Sequence, residues 1–199
     1  MSAVSETIVR EYFELHGFFV RQQRKFIAPS RREDDEIDFF VLNPQPSESG
    51  APLPFILAST DLPRIARGMV VVKGWHTETF STAVLANAPE ILRFLEPGVF
   101  QQTRAFGKDG PVAKILVVPA LPAGAEARQQ SIELLRGKGL DAVIPFHTML
   151  ADLIDQIEVN RNYQKSDLLQ IIRILKNYGF LKEPQLELFK PKKRKNKLL

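Results

Sequence analysis

Residues 36–42 read Glu36-Ile37-Asp38-Phe39-Phe40-Val41-Leu42: two acids, then a run of large apolar side chains. A strand on the outside of a sheet alternates apolar with polar residues, because successive side chains point to opposite faces. This run is apolar on both faces from Phe39 onward, so it reads as an interior strand. The run Gly68-Met69-Val70-Val71-Val72-Lys73-Gly74-Trp75 has the same character, with three consecutive valines. Two such strands need cover on both sides, which points to helices against a central sheet.

Working outward, the elements alternate. Ser5 to His16 carries Ile8, Val9, Tyr12, Phe13 and Leu15 at helical spacing, with Ser5 as the expected N-cap and Gly17 as the stop. Phe18 to Ile27 reads as a strand, and the charged run 29–35 as a turn leading to the strand Glu36 to Leu42. Asn43 to Pro54 is rich in Pro, Ser and Gly, and is expected to be the most mobile loop of the body. Phe55 to Ala58 suggests a short extra strand, and Asp61 to Ala66 one helical turn. Downstream come a helix over Thr82 to Leu95, a strand over Ala113 to Pro119 and a helix over Ala125 to Arg136. A strand over Asp141 to Phe146 and helices over Thr148 to Val159 and Ser166 to Tyr178 follow. The expected fold class is α/β, with a mixed central sheet of about five strands flanked by helices. One domain is expected over 1–187, followed by a basic, disordered tail over 188–199.

Composition narrows the function. The absence of cysteine excludes a thiolate nucleophile, a disulfide framework and thiolate-bound metal, and fits a cytoplasmic location. The polar start, Met1 to Arg10, lacks the apolar core of a signal peptide, and no segment is apolar for the length of a membrane span. No Gly-rich phosphate loop or serine elbow is present. The net charge of +4 is concentrated at one end. Lys190, Lys192, Lys193, Arg194, Lys195 and Lys197 fall in the last ten residues; without them 21 basic residues face 23 acidic ones. The body is close to neutral and the tail strongly basic. Such a tail is either an electrostatic arm for nucleic-acid phosphates or a solubilising end.

The order helix, three strands, helix, strand resembles the core of the PD-(D/E)xK (restriction endonuclease-like) superfamily, over roughly Ser5 to Val159. The resemblance implies a three-layer α/β fold, with the metal-binding Asp at Asp38 in Glu36-Ile37-Asp38-Phe39-Phe40-Val41. It implies the Lys of Glu-x-Lys at Lys73 in Val71-Val72-Lys73, and a supporting acid at Glu6 on the first helix. The pattern has a physical reason. Phosphodiester cleavage uses a divalent cation to stabilise phosphate charge and to acidify the attacking water. Mg²⁺ takes oxygen ligands, and a Lys two residues along a strand shares the face of the second acid. Here Val71 stands where that acid belongs, so the implied Mg²⁺ site is weak. Glu36, on the strand face of Asp38, is the residue left to complete it; Glu6 or Glu78 does so only if the fold brings it close.

Two readings follow. One is a noncatalytic, vestigial nuclease-like protein that binds nucleic acid or a protein partner. The other is a Mg²⁺-dependent DNA or RNA phosphodiesterase with a relocated carboxylate, using Asp38, Glu36, Lys73 and Glu6. His16, His76 and His147 lack the short spacing of a zinc pair, and Trp75 reads as packing in preference to base stacking. Leu168, Leu169, Ile171, Ile172, Ile174 and Leu175 are dense enough to expect burial on more than one side. The segment then docks on the domain or meets a second copy of the chain in a homo-oligomer.

Overall fold

The computed structural model describes residues 3–23, 37–47, 52–96 and 111–181. Five strands form one sheet: β1 Phe19–Gln22, β2 Phe39–Leu42, β3 Arg67–Val72, β4 Ala113–Val118 and β5 Ala142–Pro145. They lie side by side in chain order. β1, β2 and β3 form an antiparallel meander, with Arg21 opposite Phe40 and Phe40 opposite Met69. β4 and β5 join in parallel, with Val70 opposite Ile115 and Val117 opposite Ile144. The class is therefore α/β with an open mixed sheet of five strands. Contact density divides the chain into two compact units, Met1–Leu153 and Ile154–Leu199.

Both faces of the central strands are covered, as the apolar runs require. On one face Phe40, Met69, Val71, Leu116, Val118 and Val143 belong to a single buried cluster. Helix α2 (Thr82–Asn87), the 3-10 helix Pro89–Leu95 and helix α3 (Ala125–Gly137) add Leu85, Ile91, Phe94 and Leu135 to it. The alternate residues Phe39, Val41, Val70, Val72, Ile115, Val117 and Ile144 are equally buried and point the other way. Helix α1 (Ala3–Leu15) contacts β1 and β3 and buries Ile8, Val9, Tyr12 and Phe13. At its end Gly17 takes φ +80°, open to glycine without strain, and the Phe18 amide closes back on the Phe13 carbonyl at 3.0 Å. His16 then meets Asp152 of helix α4 (Phe146–Gln156) at 2.8 Å.

Several element ends depart from the sequence expectation. α1 begins at Ala3, so Ser5 lies inside the helix and caps nothing. Among the described residues β1 runs from Phe19 to Gln22, with 24–27 of the expected strand and the expected turn 29–35 outside them; β2 begins at Phe39, leaving Asp38 just outside the ladder. β3 ends at Val72, and the Lys73 amide adds one more rung to the β3–β4 ladder on the Val117 carbonyl at 3.0 Å. The expected helix Thr82 to Leu95 breaks at Pro89, which cannot donate to the preceding turn, and resumes as a 3-10 helix. Phe55 to Ala58 makes one parallel bridge, Ile56 to Val143, in place of a strand. In the loop after β2, the Ser47 amide donates to the Pro63 carbonyl at 2.7 Å and Asn43 Nδ2 donates to the same carbonyl at 3.3 Å. These bonds tie Asn43 and Ser47 to Pro63, and residues 48–51 of the expected loop lie outside the described residues.

In the second unit, helix α5 (Asp167–Asn177) is capped by Ser166, whose Oγ accepts the Leu169 amide. Leu169 and Ile172 are buried. Ile171 and Ile174 are 54% and 43% exposed in the single chain. Among the described residues no helix is long and apolar enough to cross a membrane.

Candidate functional site

The three parallel strands β3, β4 and β5 end at the same sheet edge, and the antiparallel β2 begins there. Glu6, Asp38, Lys73 and His76 all belong to this edge. Asp38 is 3% exposed. Its amide donates to the Val70 carbonyl at 3.1 Å and its carbonyl accepts the Gln23 amide at 2.9 Å. Its carboxylate Oδ2 accepts the buried Val72 amide at 2.7 Å. The acid therefore continues the β2–β3 pairing with a side-chain oxygen after the regular ladder has ended. A buried N–H left without an acceptor is costly, so this bond gives Asp38 a structural task.

Val71 faces the opposite demand. It is 1% exposed and packs in the cluster of Met69, Phe80 and Leu116. An acid at that position would lose its solvation in an apolar core. Lys73 follows β3 and is half-buried, beside the Val72 amide that Asp38 holds. Glu6 reaches sideways, its Oε2 accepting Gln22 Nε2 at 2.7 Å. Glu78 is exposed in the turn after Trp75. Glu36 and the basic residues Lys190, Lys192, Lys193, Arg194, Lys195 and Lys197 lie outside the described residues.

The chain matches no protein-family model, no curated protein and no solved structure. The chemistry of the site therefore rests on its own residues. Among the described residues no three Asp, Glu, His or Cys side chains converge to hold a metal. Mg²⁺ asks for several oxygen ligands around one point. Of the expected donors, Asp38 has one oxygen bonded to a backbone amide, Glu6 is bonded to β1, Val71 offers none, and Glu36 lies outside the described residues.

One contact at this edge has no local sequence signal. Ser5 Oγ lies 3.0 Å from His76 Nε2, with Ser5 only 1% exposed. Gly74 makes the approach feasible, since a Cβ there would stand 2.5 Å from Ser5 Oγ. The His76 ring meets Phe146 edge-on at 4.6 Å, and Trp75, 38% exposed, meets Phe80 at 5.8 Å. With its hydroxyl buried, Ser5 is closed to a substrate. The pair ties the loop after β3 to α1. His16 and His147 stand elsewhere, the first in the turn after α1 and the second on α4.

Further along α1, burial pushes the Tyr12 phenol up to about 12, and its hydroxyl pairs with Ser59 Oγ at 3.0 Å. Burial, and then the neighbouring Glu11, raise the Glu14 carboxyl above its ordinary value.

Proposed function

We propose that this chain is a noncatalytic member of the PD-(D/E)xK (restriction endonuclease-like) fold that binds nucleic acid. Three features support the kinship: the order α1, three-stranded meander, α2, parallel β4; the place of Asp38 at the start of β2; and Lys73 immediately after β3. The observation that carries the loss of catalysis is the Asp38 carboxylate, buried and bonded to the Val72 amide, with Val71 in the core at the second acid position. In such a protein the acid–lysine pair persists as a structural feature of the sheet edge. Nucleic-acid binding is supported by the six tail charges on an otherwise near-neutral body. Each phosphate they neutralise releases counterions, so the affinity is salt-dependent and indifferent to sequence.

The test has two arms. Single-stranded, duplex and branched DNA are incubated with the protein and Mg²⁺ or Mn²⁺; no cleavage is expected. Robust cleavage that vanishes in Asp38→Ala would restore the reading as a Mg²⁺-dependent phosphodiesterase with a relocated carboxylate. In the second arm, DNA and RNA binding are followed across a salt series for the full chain and for a chain ending at Phe189. The truncated chain is expected to lose most of the affinity and of the salt slope. Equal slopes would move the partner from nucleic acid to protein.

A further inference from the structure

At the opposite sheet edge, where β3 and β4 begin, Leu53, Arg64, Ile65, Arg67, Val112 and Asp141 line a cavity of about 390 Å³. Arg64 ends the 3-10 helix Ser59–Arg64 and Arg67 opens β3, so two guanidinium groups three residues apart are brought to one space. Arg64 is the more tightly held of the two, although its Nε is buried with no hydrogen-bond acceptor among the described residues. Arg64 Nη1 donates to Asp61 Oδ1 at 3.3 Å and its Nη2 to the Pro52 carbonyl. Arg67 Nη1 is buried and has no hydrogen-bond acceptor among the described residues. Asp141, the acid in the lining, has its Oδ2 on the Lys114 amide at 2.7 Å.

A guanidinium cannot escape burial by losing its proton. Buried donors in folded chains nearly always meet an acceptor, and each exception asks for a reason. Here two exceptions, Arg64 Nε and Arg67 Nη1, stand beside a cavity of small-molecule size whose walls are mainly apolar, with a few charged groups. That is the usual make-up of a ligand site. The planar fork of Arg matches the two oxygens of a carboxylate or a phosphate. Arg64, fixed by Asp61 and Pro52, adds a second positive charge without having to be ordered on binding.

We propose that this cavity binds a small molecule with an oxyanion group, carboxylate or phosphate, on an apolar body. Arg67 grips the oxyanion, Arg64 supports it electrostatically, and Leu53, Ile65 and Val112 hold the apolar part. The site is independent of the Asp38 edge, at the other end of β3.

Isothermal titration of the full chain with phenyl phosphate, benzoate and inorganic phosphate tests this. Phenyl phosphate or benzoate is expected to bind, and whichever is tighter identifies the oxyanion. Inorganic phosphate, lacking the apolar body, is expected to bind more weakly than phenyl phosphate. Arg67→Gln is expected to weaken the tighter probe at least tenfold. Arg67→Lys, which keeps the charge and loses the fork, is expected to fall between. Should Arg67→Gln fail to fold, Arg67→Lys alone decides, by a measurable loss against an unchanged fold. No binding of any probe to the unaltered chain overturns the proposal. So does equal binding by the unaltered and substituted chains.

Discussion

The two ends of β3 present opposite problems in buried charge. At the Val72 end a carboxylate, Asp38, faces a backbone amide and bonds it at 2.7 Å. At the Arg67 end a guanidinium nitrogen is buried with no acceptor among the described residues. The strand between them is apolar and almost fully buried. The contrast separates two kinds of polar burial. A polar group whose partner is built into the fold contributes to structure, whatever chemistry its residue type suggests. One whose partner is missing from the fold marks where an outside ligand fits the chemistry.

The largest expected effect is at the first end. Asp38→Ala removes the acceptor and leaves the Val72 amide buried and unmet, at a cost of about 3 kcal/mol in chemical denaturation. Asp38→Asn keeps an oxygen at the same place and is expected to lose less than half as much. Equal losses in the two variants would mean that the carboxylate's charge, and not the amide bond, is what the fold uses.

A second test uses the raised Tyr12 phenol. Its folded value of about 12 exceeds the ordinary value of 10.0, so the unfolded chain gives up this proton first as pH rises. Stability from this group is complete below pH 10, and is lost between pH 10 and 12 by on the order of 2 kcal/mol. Tyr12→Phe is expected to be less stable at neutral pH by about 1 kcal/mol, through the lost Ser59 bond, and to lack that alkaline step. An unchanged step in the variant would assign it to another group.

Gly74→Ala probes the tie at the Asp38 edge. The new Cβ meets Ser5 Oγ at 2.5 Å, and the expected loss is roughly 1–2 kcal/mol. Adding Ser5→Gly opens that space. A double variant no less stable than Ser5→Gly alone would confirm that the two residues share one constraint. The smallest effect is at Glu14 on α1, largely exposed, its carboxyl raised by partial desolvation and then by Glu11. Its ionised form is penalised in the folded state, so its contribution falls as pH rises through the carboxylate range. Glu14→Gln is expected to gain a few tenths of a kcal/mol at neutral pH, and no gain at acid pH.

Much of the sheet is legible in the sequence, because a strand buried on both faces has to be apolar throughout, as Phe39–Val41 and Val70–Val72 are. The breaks are less legible. Pro89 could be seen, but whether it kinks, ends or restarts a helix depends on what Ile91 and Phe94 pack against. Ser5 has the right chemistry for a helix cap, yet its hydroxyl is held by His76, 71 residues away. At the candidate site, Asp38 and Lys73 stand out as residue types in a pattern. What Asp38 does is set by a backbone amide on the neighbouring strand, and a backbone amide has no residue-type signature. Arg64 and Arg67 look like ordinary surface cations until the fold places them on one cavity.

The central claim of the proposed function is that Asp38 serves the Val72 amide and does not hold a metal. A cation on Asp38 would sit within a few ångströms of that amide. Titrating Mn²⁺ into the isotope-labelled full chain, with the amide signals followed by NMR, therefore reads the site directly. The account predicts that the Val72 and Lys73 amide signals broaden no more than those of other strand interiors. Selective broadening of these two at low Mn²⁺, abolished in Asp38→Ala, would contradict it.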